Sequence, residues 1–442
     1  MRAGGLVCVA ILGMTALCAG PACTGAGARA PADAATDGAS PPAADGSRAS
    51  DVVADVVAPT PAAPAPAKAN YSVHEWATFT VFHATSAQQH VAGVQRHEED
   101  LPAAVHVRDL GPKGSGAAEL LGEPVLAKVQ TAGLWFQAVA PLAVTVTVSV
   151  PDGIVTADHP TAGATAPKLA AVTSLAGGKA SWALQVLGAV ATPGSEPGGG
   201  MLALLGSVLS TPFRQFGAKP GAESSVLFWR ALAKFSPPVR FDASPMTGMP
   251  GKFHVTVWND GDHVIPQAFL LHLHAGGGLL QIIGPVGTRQ FEIQTPTPKE
   301  GPKDYFKKVH EVLSGAVQEQ GLSAGEADAL VKTFTHNWLK THGLRVIVVA
   351  PPAWGQQWFP TTFMPPPAQH VRVVLGRFEL LTASDEAALV QTVEAAAQQQ
   401  DLGVLAKLGF FAEPKARRVL QLAAQGAQAF VQKLVEAAGA LK

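Results

Sequence analysis

The chain has 442 residues, a formal charge of −1 and 15% charged residues, against about 25% in an average soluble domain. It has no Lys/Arg block, so the clustered basic footprint of a nucleic-acid binder is missing and nucleic acid is excluded as a partner. Its three cysteines, Cys8, Cys18 and Cys23, all lie near the N-terminus. That excludes an internal disulfide, a cysteine nucleophile and a thiolate metal site from the body.

Met1 and Arg2 open a leader whose apolar run covers residues 6–19. A membrane-spanning helix takes roughly 20 apolar residues, so this run is too short to span and has the length of a signal-peptide core. Export is the reading, to the periplasm, the outer membrane or the cell surface. Two processing sites are open. Ala22 supplies the small residue that a bacterial lipoprotein signal places before its lipidated cysteine, here Cys23, although Gly20 stands where an aliphatic residue is usual. Ala26-Gly27-Ala28 is an A-x-A site for ordinary cleavage. Residues 1–23 therefore read as a signal peptide of lipoprotein type. Residues 24–70 are rich in Ala, Pro, Asp and Ser and hold no aromatic residue, so they bury too little apolar surface to offset their ordering entropy. They read as a disordered linker with a reach on the order of 40 Å. A tether behind a lipid anchor holds a folded body away from a membrane.

From residue 71 to about 298 the pattern has period two. Residues 143–150 alternate apolar and polar and end at Pro151-Asp152-Gly153, a turn sequence. Residues 134–138, 181–187, 226–232, 253–258 and 268–274 are further strands, separated by Gly-rich or Pro-rich stretches. An antiparallel β-sandwich-like domain is the expectation. Beyond residue 299 the pattern becomes mixed α/β. Helices are predicted over 304–313 and from Ser323, whose Glu326 three residues on completes a capping-box pattern. Strands are predicted at 344–350 and 370–381, and helices at 383–399 and 413–441. The fold class is thus α+β: a sheet-rich region over 71–298, then a mixed α/β region with C-terminal helices over 299–442.

No phosphate-binding loop, GxSxG elbow or HExxH motif is present, because His74-Glu75 is followed by Thr78. Histidine and carboxylate chemistry remains. As a strand, His74-Glu75-Trp76-Ala77-Thr78-Phe79-Thr80 puts Glu75 on the more apolar face with Val73, Ala77 and Phe79. A carboxylate there is paired, metal-bound or protonated. An ion pair to Arg108 or Arg230 would make it a fold anchor. Convergence of His74 and Glu75 with His97, Glu98 or His106 would make it a catalytic group. His83, His90 and His97 are spaced by seven, which on a helix is about 10.5 Å and too far for one metal. They read as loop histidines. His272 and His274, two apart on a strand, point to one side and are candidate metal ligands, with His254 or His263 as a third. Trp354 and Trp358 lie in a Pro-rich loop, as candidate binding indoles or as a cover for the core.

The opening motif resembles the HEWGTFT signature of an uncharacterised family of exported proteins of myxobacteria and planctomycetes, with Ala77 at the glycine. The resemblance continues through residues 95–102, 126–160, 343–346, 370–381 and 411–414. It departs from the family pattern at Gln130, at Gln137 and over 156–160, where family carboxylates and aromatics are replaced. The resemblance implies an exported protein without implying a reaction, and the replaced carboxylates weigh against catalysis.

The leading expectation is therefore an exported, lipid-anchored cell-envelope protein that needs no cofactor. Its expected partners are the membrane, through Cys23, and an envelope protein or glycan. The alternative is a metal-dependent hydrolase that uses a His/Glu cluster and a divalent metal.

Overall fold

Val73, Ala77, Phe79 and Val81 point to one side of the first strand and Trp76 to the other, the alternation an extended chain imposes. This strand, β1 (Ala69–Ala84), is the axis of the fold. The computed structural model describes residues 68–93, 101–108, 125–168, 174–188, 200–249, 252–274, 277–287, 291–294 and 301–440. Cys23, most of the linker, and His97, Glu98 and Glu99 lie outside the described residues.

β1 lies inside a ten-stranded sheet. From one edge the order is β14 (Gly277–Val286), β13 (Ile265–His274), β16 (Gly343–Val349), β18 (Pro367–Leu381), β1, β4 (Ala127–Ala138), β10 (Leu227–Ala233), β6 (Gly153–His159) and β3 (His106–Val107). β2 (Gln89–His90) folds back on the end of β1. Among the described strands only β1 and β18 pair in parallel, from Ala69/Pro367 to Ala84/Leu381. A five-stranded sheet holds β17 (Thr361–Met364), β5 (Leu142–Val150), β8 (Gly178–Val186) and β7 (Ala164–Ala166), with β9 (Phe213–Gln215) against β8. A third sheet has β11 (Val239–Pro245), β12 (Phe253–Asn259) and β15 (Phe291–Gln294).

The two smaller sheets share one core with a single face of the large sheet, built from side chains such as Val73, Phe79, Val146, Trp182, Phe241 and Phe378. On the opposite face Trp76, Trp135, Ile347 and Val373 pack against α1 (Gly200–Gly206), α2 (Pro302–Glu319) and α3 (Ala324–Phe334). The fold is α+β, sheet-rich at the N-terminal side and helical at the C-terminal side. The helical layer is what a reading as a sandwich of sheets lacks. Runs such as Phe269-Leu270-Leu271 and Val346-Ile347-Val348-Val349 are buried throughout, and a strand buried on both faces needs cover on both.

The boundary expected at residue 298 does not divide two bodies. β16 and β18 lie beyond it, yet they are interior strands of the sheet that contains β1, β4 and β13, and residues Pro64–Lys442 form one compact unit.

Two further expectations change. The single helix predicted over 413–441 is two, α7 (Ala412–Leu422) and α8 (Gln425–Ala440). Ala423 between them is extended, at φ −68° and ψ 149°, so both helices fold onto one small core that includes Val419, Phe430 and Leu434. α5 (Ala383–Gln399) and α6 (Val404–Leu408) complete that core. The Pro-rich loop around Trp354 is a short helix, α4 (Pro352–Trp358), started by a proline at its first turn, where a missing N–H costs nothing.

Candidate functional site

The opening motif divides between the two faces of β1. His74 turns toward the helices, and its Nδ1 lies 2.7 Å from Oε1 of Glu326. The other oxygen of Glu326 accepts the Ser323 N–H at 2.7 Å, while the Ser323 hydroxyl accepts the Glu326 N–H. The capping box at the start of α3 thus also anchors the sheet. Burial pushes the Glu326 carboxyl up, but His74 and Ser323 outweigh it and hold it below its ordinary value. Trp76, on the same face, lies against Trp135 with ring centroids 3.8 Å apart.

Glu75 turns the other way and is fully buried. Its Oε2 lies 3.2 Å from Nε of Arg372 and 2.9 Å from Nε2 of His370, and its Oε1 accepts the Thr361 hydroxyl at 2.9 Å. Burial pushes the carboxyl up, yet Arg372, His370 and Thr361 together hold it below its ordinary value. Glu75 is an ionised fold anchor. Its partner is neither expected arginine. Arg108 pairs with Asp158 at 3.2 Å, and Arg230 lies over the Phe228 ring beside Met201. The parallel β1–β18 pairing sets Arg372 directly opposite Glu75, and nothing local in the sequence announces that neighbour. His74 and Glu75 cannot share one catalytic centre, because the strand separates them. His106, a further candidate for that centre, pairs with Asp158 at 3.5 Å.

The second predicted cluster forms only in part. His272 and His274 lie on one side of β13 with ring centroids 5.3 Å apart. Burial, then the charges of His274 and Arg345, push His272 down to about 4. His254 is not their third ligand. Its neighbour Phe253 is the residue that meets His272, at 5.5 Å, so alternation along β12 turns His254 away. His263 lies in the loop after β12. Among the described residues, no group of three His, Cys, Asp or Glu side chains is placed to hold a metal. The two indoles belong to the core. Trp358 stacks on Phe235 at 4.5 Å and meets Phe79 edge-on, and Trp354 packs against Trp358. Both are buried, so neither presents a binding face.

The constellation that does assemble is His83 with His90. β1 ends at Ala84, a 3-10 turn covers Thr85–Ala87, and Gln88 takes a left-handed conformation at φ 51°. β2 then runs back and sets His90 opposite His83. The spacing of seven is the register of a hairpin. The turn lacks the glycine or asparagine that usually marks a left-handed position, which is why it reads as loop.

The two rings meet at Nδ1, 3.1 Å apart. Nε2 of His90 lies 3.0 Å from the Pro237 carbonyl, which can only accept. For a neutral pair this settles every proton. His90 donates from Nε2 and presents a bare Nδ1, and His83 donates from Nδ1 to it. Nε2 of His83 then accepts the Phe241 N–H at 3.1 Å. Burial pushes His83 down to about 3, helped by the charge of His90, and burial lowers His90 as well. The pair floors a cleft of about 400 Å³ bordered by Gln88, Gln89, Leu126, Pro237, Arg240 and Asp260. At its rim Arg240 forks onto Asp260 at 2.5 and 3.1 Å, donates to Gln88 Oε1 at 3.0 Å and covers the Trp258 ring. The arrangement offers neutral imidazole nitrogens below a polar opening.

No protein-family model matches the chain, and no curated protein matches it. Among solved structures, it is similar to the yeast delta-COP-I mu-homology domain, solved with a WxWxV peptide, at 8% identity and a TM-score of 0.25. That match covers 71% of this chain and 97% of the other, and a likeness of that size carries no argument.

Proposed function

We propose that this chain is an exported, lipid-anchored cell-envelope protein whose folded body binds an envelope component or a protein partner. The apolar leader, Cys23 and the Ala/Pro-rich linker support export and anchoring. One observation weighs against the alternative, a metal-dependent hydrolase built on a His/Glu cluster: His74 and Glu75 lie on opposite faces of β1, each engaged by a partner within the fold. In this reading the signature motif holds the sheet to its helices and to β18.

The test uses the full chain produced in a Gram-negative host. Wild type should sediment with membranes and carry acyl chains on Cys23 by intact mass, and Cys23→Ala should move to the soluble periplasmic fraction. Cytoplasmic recovery of both, unmodified, would rule out the anchor. His74→Gln and Glu75→Gln should each lower the melting temperature. A hydrolytic activity abolished in either variant at an unchanged melting temperature would favour the hydrolase.

A further inference from the structure

We propose that His83 and His90 form a two-imidazole site for a late first-row transition-metal cation, held between their Nδ1 atoms at the floor of the cleft. The inference stands apart from the anchoring and binding reading above.

Its first support is the surroundings of the far nitrogens. A metal-ligating histidine commonly donates its other ring N–H to a backbone carbonyl, which sets the tautomer and aims the lone pair. His90 has this arrangement, with Nε2 3.0 Å from the Pro237 carbonyl, and His83 reaches it by a change of tautomer alone, since its Nε2 is 3.0 Å from the Phe241 carbonyl. With both Nε2–H groups donating, two bare Nδ1 atoms face each other at 3.1 Å. Two lone pairs so placed repel unless a cation lies between them.

The second support is distance. Imidazole nitrogens bind zinc at about 2.0–2.1 Å, which across a tetrahedral angle separates two of them by roughly 3.3–3.4 Å. The observed 3.1 Å needs to open by only a few tenths of an ångström. No large movement accompanies the change of tautomer, because Nε2 of His83 already lies within reach of both the N–H and the carbonyl of Phe241. The metal-free pair uses the former and the metal-bound pair the latter, at the cost of the acceptor for the Phe241 N–H.

The cation's class follows from the donors. Imidazole suits copper, zinc and nickel, and among the described residues that border the cleft the one carboxylate, Asp260, is engaged by Arg240 and not ready for calcium or magnesium. Affinity rises toward copper(II), which should bind more tightly than zinc. Two protein ligands leave the remaining positions open to the cleft, for water or a bound ligand.

The experiment uses the full chain without a histidine tag, stripped with chelator and titrated with copper(II) or zinc alone by calorimetry. One equivalent should bind, copper more tightly than zinc, and the paramagnetic resonance spectrum of the first copper equivalent should show two nitrogen donors. His90→Gln should weaken this equivalent at least tenfold, while the double variant His272→Ala/His274→Ala should leave it unchanged. Absence of a stoichiometric equivalent, fewer than two nitrogens, retained affinity in His90→Gln, or loss in the His272/His274 variant would each overturn the proposal. If His90→Gln does not fold, the copper spectrum of the His272→Ala/His274→Ala variant decides the matter: two nitrogen donors retained support the site, and their loss overturns it.

Discussion

Glu75 and Arg372 face each other across the parallel β1–β18 pair, with Nε 3.2 Å from Oε2, the carboxylate fully buried and the guanidinium nearly so. Removing one partner of such a pair leaves a buried charge uncompensated, which costs about 3–5 kcal/mol. Glu75→Gln should therefore lower stability by about that much in urea denaturation. Adding Arg372→Met should restore a large part of it. A double variant no more stable than the single one would show that the pair is not what holds the strands.

Acid should act on the same group with a defined sign. The folded-state value of Glu75 lies below its ordinary 4.5, so its contribution is complete above that pH and lost as pH falls through the lowered value. The difference in unfolding free energy between wild type and Glu75→Gln should be flat above about pH 5 and shrink below pH 4.5. A difference that grows on acidification would contradict an ionised Glu75.

The histidine pair has the same sign through the opposite chemistry. His83 falls from an ordinary 6.5 to about 3 in the folded chain, so between those values the unfolded chain binds the proton and the folded one does not. Stability is then full above pH 6.5 and declines as pH falls, by up to about 1.4 kcal/mol per pH unit. Replacing His83 with Gln should flatten the decline, read as melting temperature from pH 7 to 4. An unchanged slope would assign the acid sensitivity elsewhere.

Glu326 serves both the N-terminus of α3 and His74. Loss of a capping side chain costs about 0.5–2 kcal/mol, and His74 would lose its partner as well. Glu326→Ala should therefore destabilise more than His74→Ala, and hydrogen exchange should quicken first at the start of α3. Equal effects would mean that the cap contributes little.

Gly376 lies opposite Phe79, and a Cβ there would come within 2.3 Å of the ring's Cζ. The ring cannot yield easily, since it meets Phe235, Trp358 and Phe378 edge-on. Overpacking of this kind costs about 1–3 kcal/mol, so Gly376→Ala should destabilise and Phe79→Leu in the same chain should relieve part of the cost. A neutral Gly376→Ala would show that the strand pair can spread.

Local pattern was enough for much of this molecule. Period-two alternation marked the strands at 143–150 and 253–258, the Ser323/Glu326 spacing marked the start of α3, and the placement of Glu75 among Val73, Ala77 and Phe79 showed that its carboxylate needed a partner. These are properties of a few adjacent residues, and an extended or helical chain displays them wherever it lies. The identity of that partner was not legible. Arg372 meets Glu75 because strands far apart in the sequence pair in parallel, and no periodicity encodes which distant strand arrives. The same holds for the histidines. Their spacing of seven acquired meaning only when Gln88 took a left-handed turn and carried His90 back over His83, while the backbone groups that meet the two rings came from Pro237 and Phe241. Sequence determined what each segment needed, and tertiary structure decided which neighbour met the need, because pairing energies belong to contacts between segments.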